Sequence, residues 1–148
     1  MANLRQIFAE AVQFNQGITR FLKASTYFEY SDLSGLDPDT RDSEQLLLWD
    51  ELRFITEKLA DVQERITYLT RPVAEVSRLR KDTTEKYRTA KGRCYDCRSG
   101  IEALVTDEYR DVPYWSQTIV EHDGRDYYLA GFKELPLDGL TVRVRAGS

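Results

Sequence analysis

A chain of 148 residues, 41% hydrophobic and 31% charged, has the makeup of one globular domain or two small ones. No apolar run approaches the roughly 18 residues of a membrane span, and the opening residues lack a basic-then-apolar export signal. With only two cysteines, the expectation is a protein of the reducing cytoplasm, without membrane association. The net charge of -4 is unevenly spread: residues 73–98 are net basic and both flanks net acidic.

From Leu4 the apolar residues follow a heptad. One seam position holds Leu4, Ala11, Ile18 and Ser25, and the other Ile7, Phe14, Phe21 and Phe28. This predicts a helix running to about Tyr30. Gly17 inside it costs about 1 kcal/mol relative to Ala, which is reasonable where another helix approaches closely. Residues 31–39 are dense in turn formers. Asp42 then reads as an N-cap, with Gln45 as a weak capping-box partner. In the second helix Leu48, Leu52, Ile55, Leu59, Val62, Ile66 and Leu69 alternate spacings of four and three, an unbroken a/d seam. Pro72 ends it near Thr70.

Residues 1–71 are therefore expected to form an antiparallel, coiled-coil-like helical hairpin. Its two seams would pack on each other. Leu46, Leu47, Trp49 and Phe54, together with Phe8 and Leu22, lie off those seams. They are the expected protein interface, covered by the rest of the chain, by a second copy in a homodimer, or by a protein partner.

Beyond Pro72 the pattern turns to short segments punctuated by turns. Strands are expected over 73–81, 85–89, 93–97 and 101–106, with turns at Lys91-Gly92 and Ser99-Gly100. The clearest signal is a β-hairpin over 114–132. A two-residue turn at Asp123-Gly124 would set Glu121 opposite Asp126. A three-residue loop, His122-Asp123-Gly124, sets Glu121 opposite Arg125, collects Trp115, Ile119, Tyr127 and Leu129 on one face with Val120 and Tyr128 on the other, and is preferred on both charge and the sorting of faces. A last strand alternates Leu140, Val142 and Val144 with Thr141, Arg143 and Arg145, one face buried and one wet. The expected fold is α+β: the hairpin, then a small antiparallel β-barrel over 72–148, SH3-like or similar.

The stretch Val120-Glu121-His122-Asp123-Gly124, then Tyr127-Tyr128-Leu129 and Gly131, then Gly139-Leu140 with Val142-Arg143-Val144-Arg145, resembles a domain-of-unknown-function family. Its members are small proteins encoded mainly by Firmicutes, often on conjugative or other mobile elements. The resemblance covers about residues 72–145. It implies a bacterial, cytoplasmic accessory role, in element maintenance or in countering host defences, and carries over no catalytic residue.

Chemistry is sparse. Cys94-Tyr95-Asp96-Cys97 is a C-x-x-C, but structural zinc takes four ligands, so two reduced cysteines are expected, with zinc shared across a dimer as the alternative. His122, the sole histidine, reads as an exposed turn residue. No nucleophile relay or phosphate-binding loop is present. No enzyme, cofactor or metal is expected. Arg78, Arg80, Lys81, Lys86, Arg88, Lys91 and Arg93, interleaved with Tyr87 and Tyr95, have the composition of a nucleic-acid contact, against a sequence pI near 5.1. The first expectation is a non-catalytic interaction protein using the helical hairpin. The alternatives are a nucleic-acid-binding accessory factor and an inhibitor of a host defence nuclease.

Overall fold

The computed structural model describes residues 3–147, and the chain divides at Arg71/Pro72 into two compact units. In the first, α1 spans Leu4–Ala24 and α2 Ser43–Thr70. Asn3 caps α1 in a full capping box with Gln6. Asp42 caps α2 by accepting from the backbone N–H groups of Glu44 and Gln45, which satisfies donors that a helix start leaves unpaired. The Gln45 side chain instead accepts from Asp39 N at 2.8 Å, tying the incoming loop to the first turn. α1 ends six residues before Tyr30. Ser25 and a left-handed Thr26 turn the chain there. Gly35 packs against Thr26 and Tyr30 so closely that a Cβ would collide.

The helices run antiparallel. Asn15 donates to Thr67 Oγ1 at 3.2 Å and Gln63 to Thr19 Oγ1 at 3.5 Å. These bonds reveal that the hairpin does not close on its apolar seams. The face between the helices carries Asn15, Thr19, Thr56, Gln63 and Thr67 beside Ile18, Leu22, Leu52, Leu59 and Ile66. Thr56 is fully buried and donates to Leu52 O at 2.8 Å. One strip of each expected seam, Ile7-Phe14-Phe21 and Leu48-Ile55-Val62-Leu69, is left exposed. Gly17 meets no side chain of α2, so the close approach expected of it does not occur within the hairpin.

The second unit has eight strands: β1 Val73–Arg78, β2 Arg80–Lys81, β3 Tyr87–Arg88, β4 Cys94–Tyr95, β5 Gly100–Val105, β6 Tyr114–His122, β7 Tyr127–Leu129 and β8 Thr141–Arg145. They form an antiparallel five-stranded sheet, β1-β8-β5-β6-β7, and a three-stranded sheet, β2-β3-β4. Neither sheet closes, so the expected barrel, SH3-like or otherwise, does not form. The reason lies at the edge of β1. Glu75 accepts from Thr89 Oγ1 and Lys91 N, both at 3.0 Å, and Ser77 Oγ accepts from Ala90 N at 2.8 Å. Side chains, rather than a backbone ladder, attach the β3–β4 turn to that edge. The core gathers Leu79, Tyr87, Tyr95, Ile101, Ala103, Val105, Val120, Leu129, Leu137 and Val142.

The 114–132 hairpin adopts neither expected register. His122 pairs with Tyr127, Glu121 with Tyr128 and Val120 with Leu129, leaving 123–126 as the loop. Asp123 accepts from the N–H groups of Arg125 and Asp126, and Gly124 takes φ +93°, a conformation open to glycine. Charge pairing across a strand contributes a few tenths of a kcal/mol. Burying Val120 and Leu129 together contributes several times more, and the three-residue loop would have set them on opposite faces. Leu129→Ala is expected to cost about 2–5 kcal/mol in urea unfolding. Ile119→Ala, on the half-exposed face, should cost less than half as much; equal losses would mean the other register.

Candidate interaction surfaces

The basic segment does not converge on one face. In β2–β3, Arg80 lies opposite Arg88 and Lys81 opposite Tyr87, so alternation sends the arginines to one side and Lys81 to the other. Three of the cations are taken up by nearby carboxylates. Arg88 Nε lies 2.5 Å from Asp82 Oδ2, Lys81 Nζ 3.4 Å from Asp126 Oδ2, and Lys86 Nζ 3.7 Å from Asp96 Oδ2. Hydrogen bonds from Thr84, then Arg88, hold the Asp82 carboxyl well below the usual carboxylate range. Lys91 donates to Ala74 O and Arg80 to Leu79 O, and Arg93 lies over the Tyr95 ring. Arg78 is exposed at the end of β1.

The last strand lacks the wet face expected of it. Glu102, on the central strand β5, is only 4% exposed. Its Oε1 lies 2.6 Å from Arg143 Nη2 and its Oε2 3.0 Å from Arg145 Nε. Arg143 also lies over the Trp115 ring at 4.3 Å. One buried carboxylate thus joins two strands through charge-assisted bonds, and Arg143 and Arg145 do not extend the basic patch. Removing one partner of a buried ionic cluster strands the others. Glu102→Gln is expected to lower stability by about 3 kcal/mol, with Arg143→Lys costing less; both are read from chemical denaturation.

A cleft of about 540 Å³ opens beside β7, with Tyr87 and Asp126 in its wall. The Tyr87 hydroxyl donates to Asp126 Oδ2 at 3.0 Å. Burial, then that hydrogen bond, pushes the phenol up to about 12. Asp126 is desolvated, yet bonds from Tyr127 N–H, Tyr87 and Lys81 leave its carboxyl below the ordinary value. The folded state keeps the Tyr87 proton after an unfolded chain, with tyrosines near pH 10, has lost it. This contribution to stability is therefore complete below about pH 10 and lost as the pH rises toward 12. Burial also raises Tyr95, and the bond to Asp107 raises Tyr114, so ultraviolet titration should show several late tyrosines and Tyr87→Phe should remove one tyrosine's share of the late absorbance change.

His122 ends β6 exposed, its Nδ1 accepting from Gly124 N at 3.0 Å and its ring edge-on to Tyr127. It is thus a strand residue and not part of the turn. Cys94 is half-buried in β4, and Cys97 sits exposed in the following turn, which spans Asp96 to Ser99. Among the described residues no group of three or more His, Cys, Asp or Glu side chains is placed to hold a metal.

On the helices, Leu22 is buried, Phe8, Leu46 and Trp49 are half-buried, and Leu47 and Phe54 are exposed. Cations cover two of the rings: Arg53 lies over Trp49 and Lys58 over Phe54. The larger apolar surface is the strip formed by Ile7, Phe14, Phe21, Leu48, Ile55, Val62 and Leu69. A readable signal pointed to it. Asn15, Thr56 and Gln63 stand at heptad positions beside the seam, and polar residues that recur with the helical period mark a face the chain can turn inward.

No helix among the described residues is long and apolar enough to cross a membrane. No curated protein and no solved structure matches the chain. Residues 77–144, from within β1 to near the end of β8, match the model of a family described as Domain of unknown function (DUF5348).

Proposed function

We propose that this is a non-catalytic interaction protein whose helical unit docks a protein partner or a second copy, in an accessory role on a bacterial mobile element. One observation carries the docking reading. Among the described residues, the helical unit buries only Ile18, Leu22 and Leu33 as apolar core, against ten residues in the β unit. Units of this size rarely hold together on so little, and the seven large apolar side chains of the strip remain outside. The accessory role rests on the family resemblance. Nucleic-acid binding by Arg78, Arg80, Lys81, Lys86, Arg88, Lys91 and Arg93 has less support, because Asp82, Asp96 and Asp126 neutralise three of those charges. Affinity capture with the tagged full chain tests the docking reading. A specific protein, or untagged copies of this chain, should be retained by the natural sequence and lost with Phe14→Glu/Ile55→Glu. Identical capture by both would overturn the reading.

A further inference from the structure

The exposed strip on the helices has a shape, a size and a charge pattern of its own. Each row repeats every seven residues. Both rows are rotated by about a quarter turn, in the same sense along the chain, from the face that packs within the hairpin. In an antiparallel pair that rotation brings them to the same side. The register set by Asn15–Thr67 and Thr19–Gln63 places Phe14 level with Leu69 and Phe21 level with Val62. At this register α1 lies beside only the C-terminal half of α2, so Phe14, Phe21, Val62 and Leu69 form an apolar face two helices wide, which Leu48 and Ile55 continue along α2 alone and Ile7 along α1 alone.

The side chains of this face are between 37% and 67% exposed. At roughly 150–200 Å² per large apolar side chain, they leave about 600 Å² of apolar surface per copy. A stable interface buries about 800 Å² per partner, rim included. The face is therefore large enough for the apolar centre of such an interface.

Charge then selects the occupant. Along the outer flank of the α2 row, at the same heptad spacing, stand Glu44, Glu51, Lys58 and Arg65, all exposed. The order is acid, acid, base, base. A second α2 running parallel would carry this flank on the opposite side of the contact, out of reach of its counterpart. One running antiparallel, with Ile55 of one copy level with Val62 of the other, sets Glu51 beside Arg65 twice over. The two Lys58 side chains meet near the dyad, where their length lets the ammonium groups turn to water. Flanking charges of this kind set orientation and partner in helical bundles. Gly17, on the outer side of the α1 row between Phe14 and Phe21, leaves room for a close neighbour that α2 does not supply.

We infer that two copies of this chain pack these faces together as an isologous, antiparallel dimer, α2 against α2, with Phe14 and Phe21 of each α1 flanking the contact. The inference deepens the docking reading by naming the partner and its orientation, and it rests on that reading. Sedimentation of the purified full chain at tens of micromolar should give twice the chain mass. Phe14→Glu/Ile55→Glu should give a monomer with its helical circular dichroism intact, since both positions lie outside the hairpin's own packing. Glu51→Lys should weaken the dimer roughly tenfold, and Glu51→Lys/Arg65→Glu should restore it to within about threefold. A monomeric natural sequence overturns the inference, as does a dimer indifferent to Ile55→Glu. A charge swap that fails to restore binding overturns the antiparallel arrangement. Loss of helix in Ile55→Glu means the face is covered from within the chain, which also overturns it. A monomer that still captures a foreign protein, lost with Phe14→Glu/Ile55→Glu, refutes the second copy while leaving the docking reading standing. A monomer that captures nothing refutes both.

Discussion

The helical unit is governed by a conflict between where its polar and its apolar residues fall. An antiparallel pair has one inner face, and Asn15, Thr19, Thr56, Gln63 and Thr67 occupy it. Burying polar groups costs free energy unless they are bonded; the interhelical amide–hydroxyl bonds and those from Thr56 to its own helix offset that cost in part, while Asn15 Oδ1 and Trp49 Nε1 are buried without a hydrogen bond. The hydrophobic strips are displaced outward as a consequence. Removing phenylalanine and leucine from water is the main term that holds helices together. Here much of that term is not collected within the hairpin.

The β unit resolves the same tension differently. Its central strand β5 is buried on both faces, and the carboxylate of Glu102 is satisfied by Arg143 and Arg145. Aspartates do similar work elsewhere: Asp82 organises the β2–β3 turn and holds Arg88, Asp123 caps the hairpin loop, and Asp126 joins Lys81 to Tyr87. Acidic side chains within the basic segment and after it are thus spent on internal order. That is why a run of cations conspicuous in the sequence becomes a set of local pairs in the fold.

Both helices and the cap at Asp42 were legible, because periodicity and capping are local properties. The short strands around Tyr87, Cys94 and Gly100 were found in roughly the right places, although their turns shift by a residue or two. The register of β6 on β7 was not legible. It depended on what Val120 and Leu129 could be buried against, and that surface comes from β5, β8 and the Leu79 segment. The interhelical face was misread because a heptad records which residues are apolar, not which of two adjacent faces meets the neighbour. The surplus residues Leu46, Trp49, Phe8 and Leu22 turned inward, and half of each seam turned out.

By itself the sequence determined the two-part division at Pro72, the helical hairpin, the antiparallel β character of the second part and the turn at Asp123-Gly124. Each follows from backbone chemistry acting over a few residues. Tertiary structure alone decided that the sheets stay open, that Glu102 draws Arg143 and Arg145 out of solvent, and that the helices show their phenylalanines and leucines to the outside. Those outcomes turn on competition for burial between segments far apart in the chain, and a single strand or helix carries no record of which competitor wins.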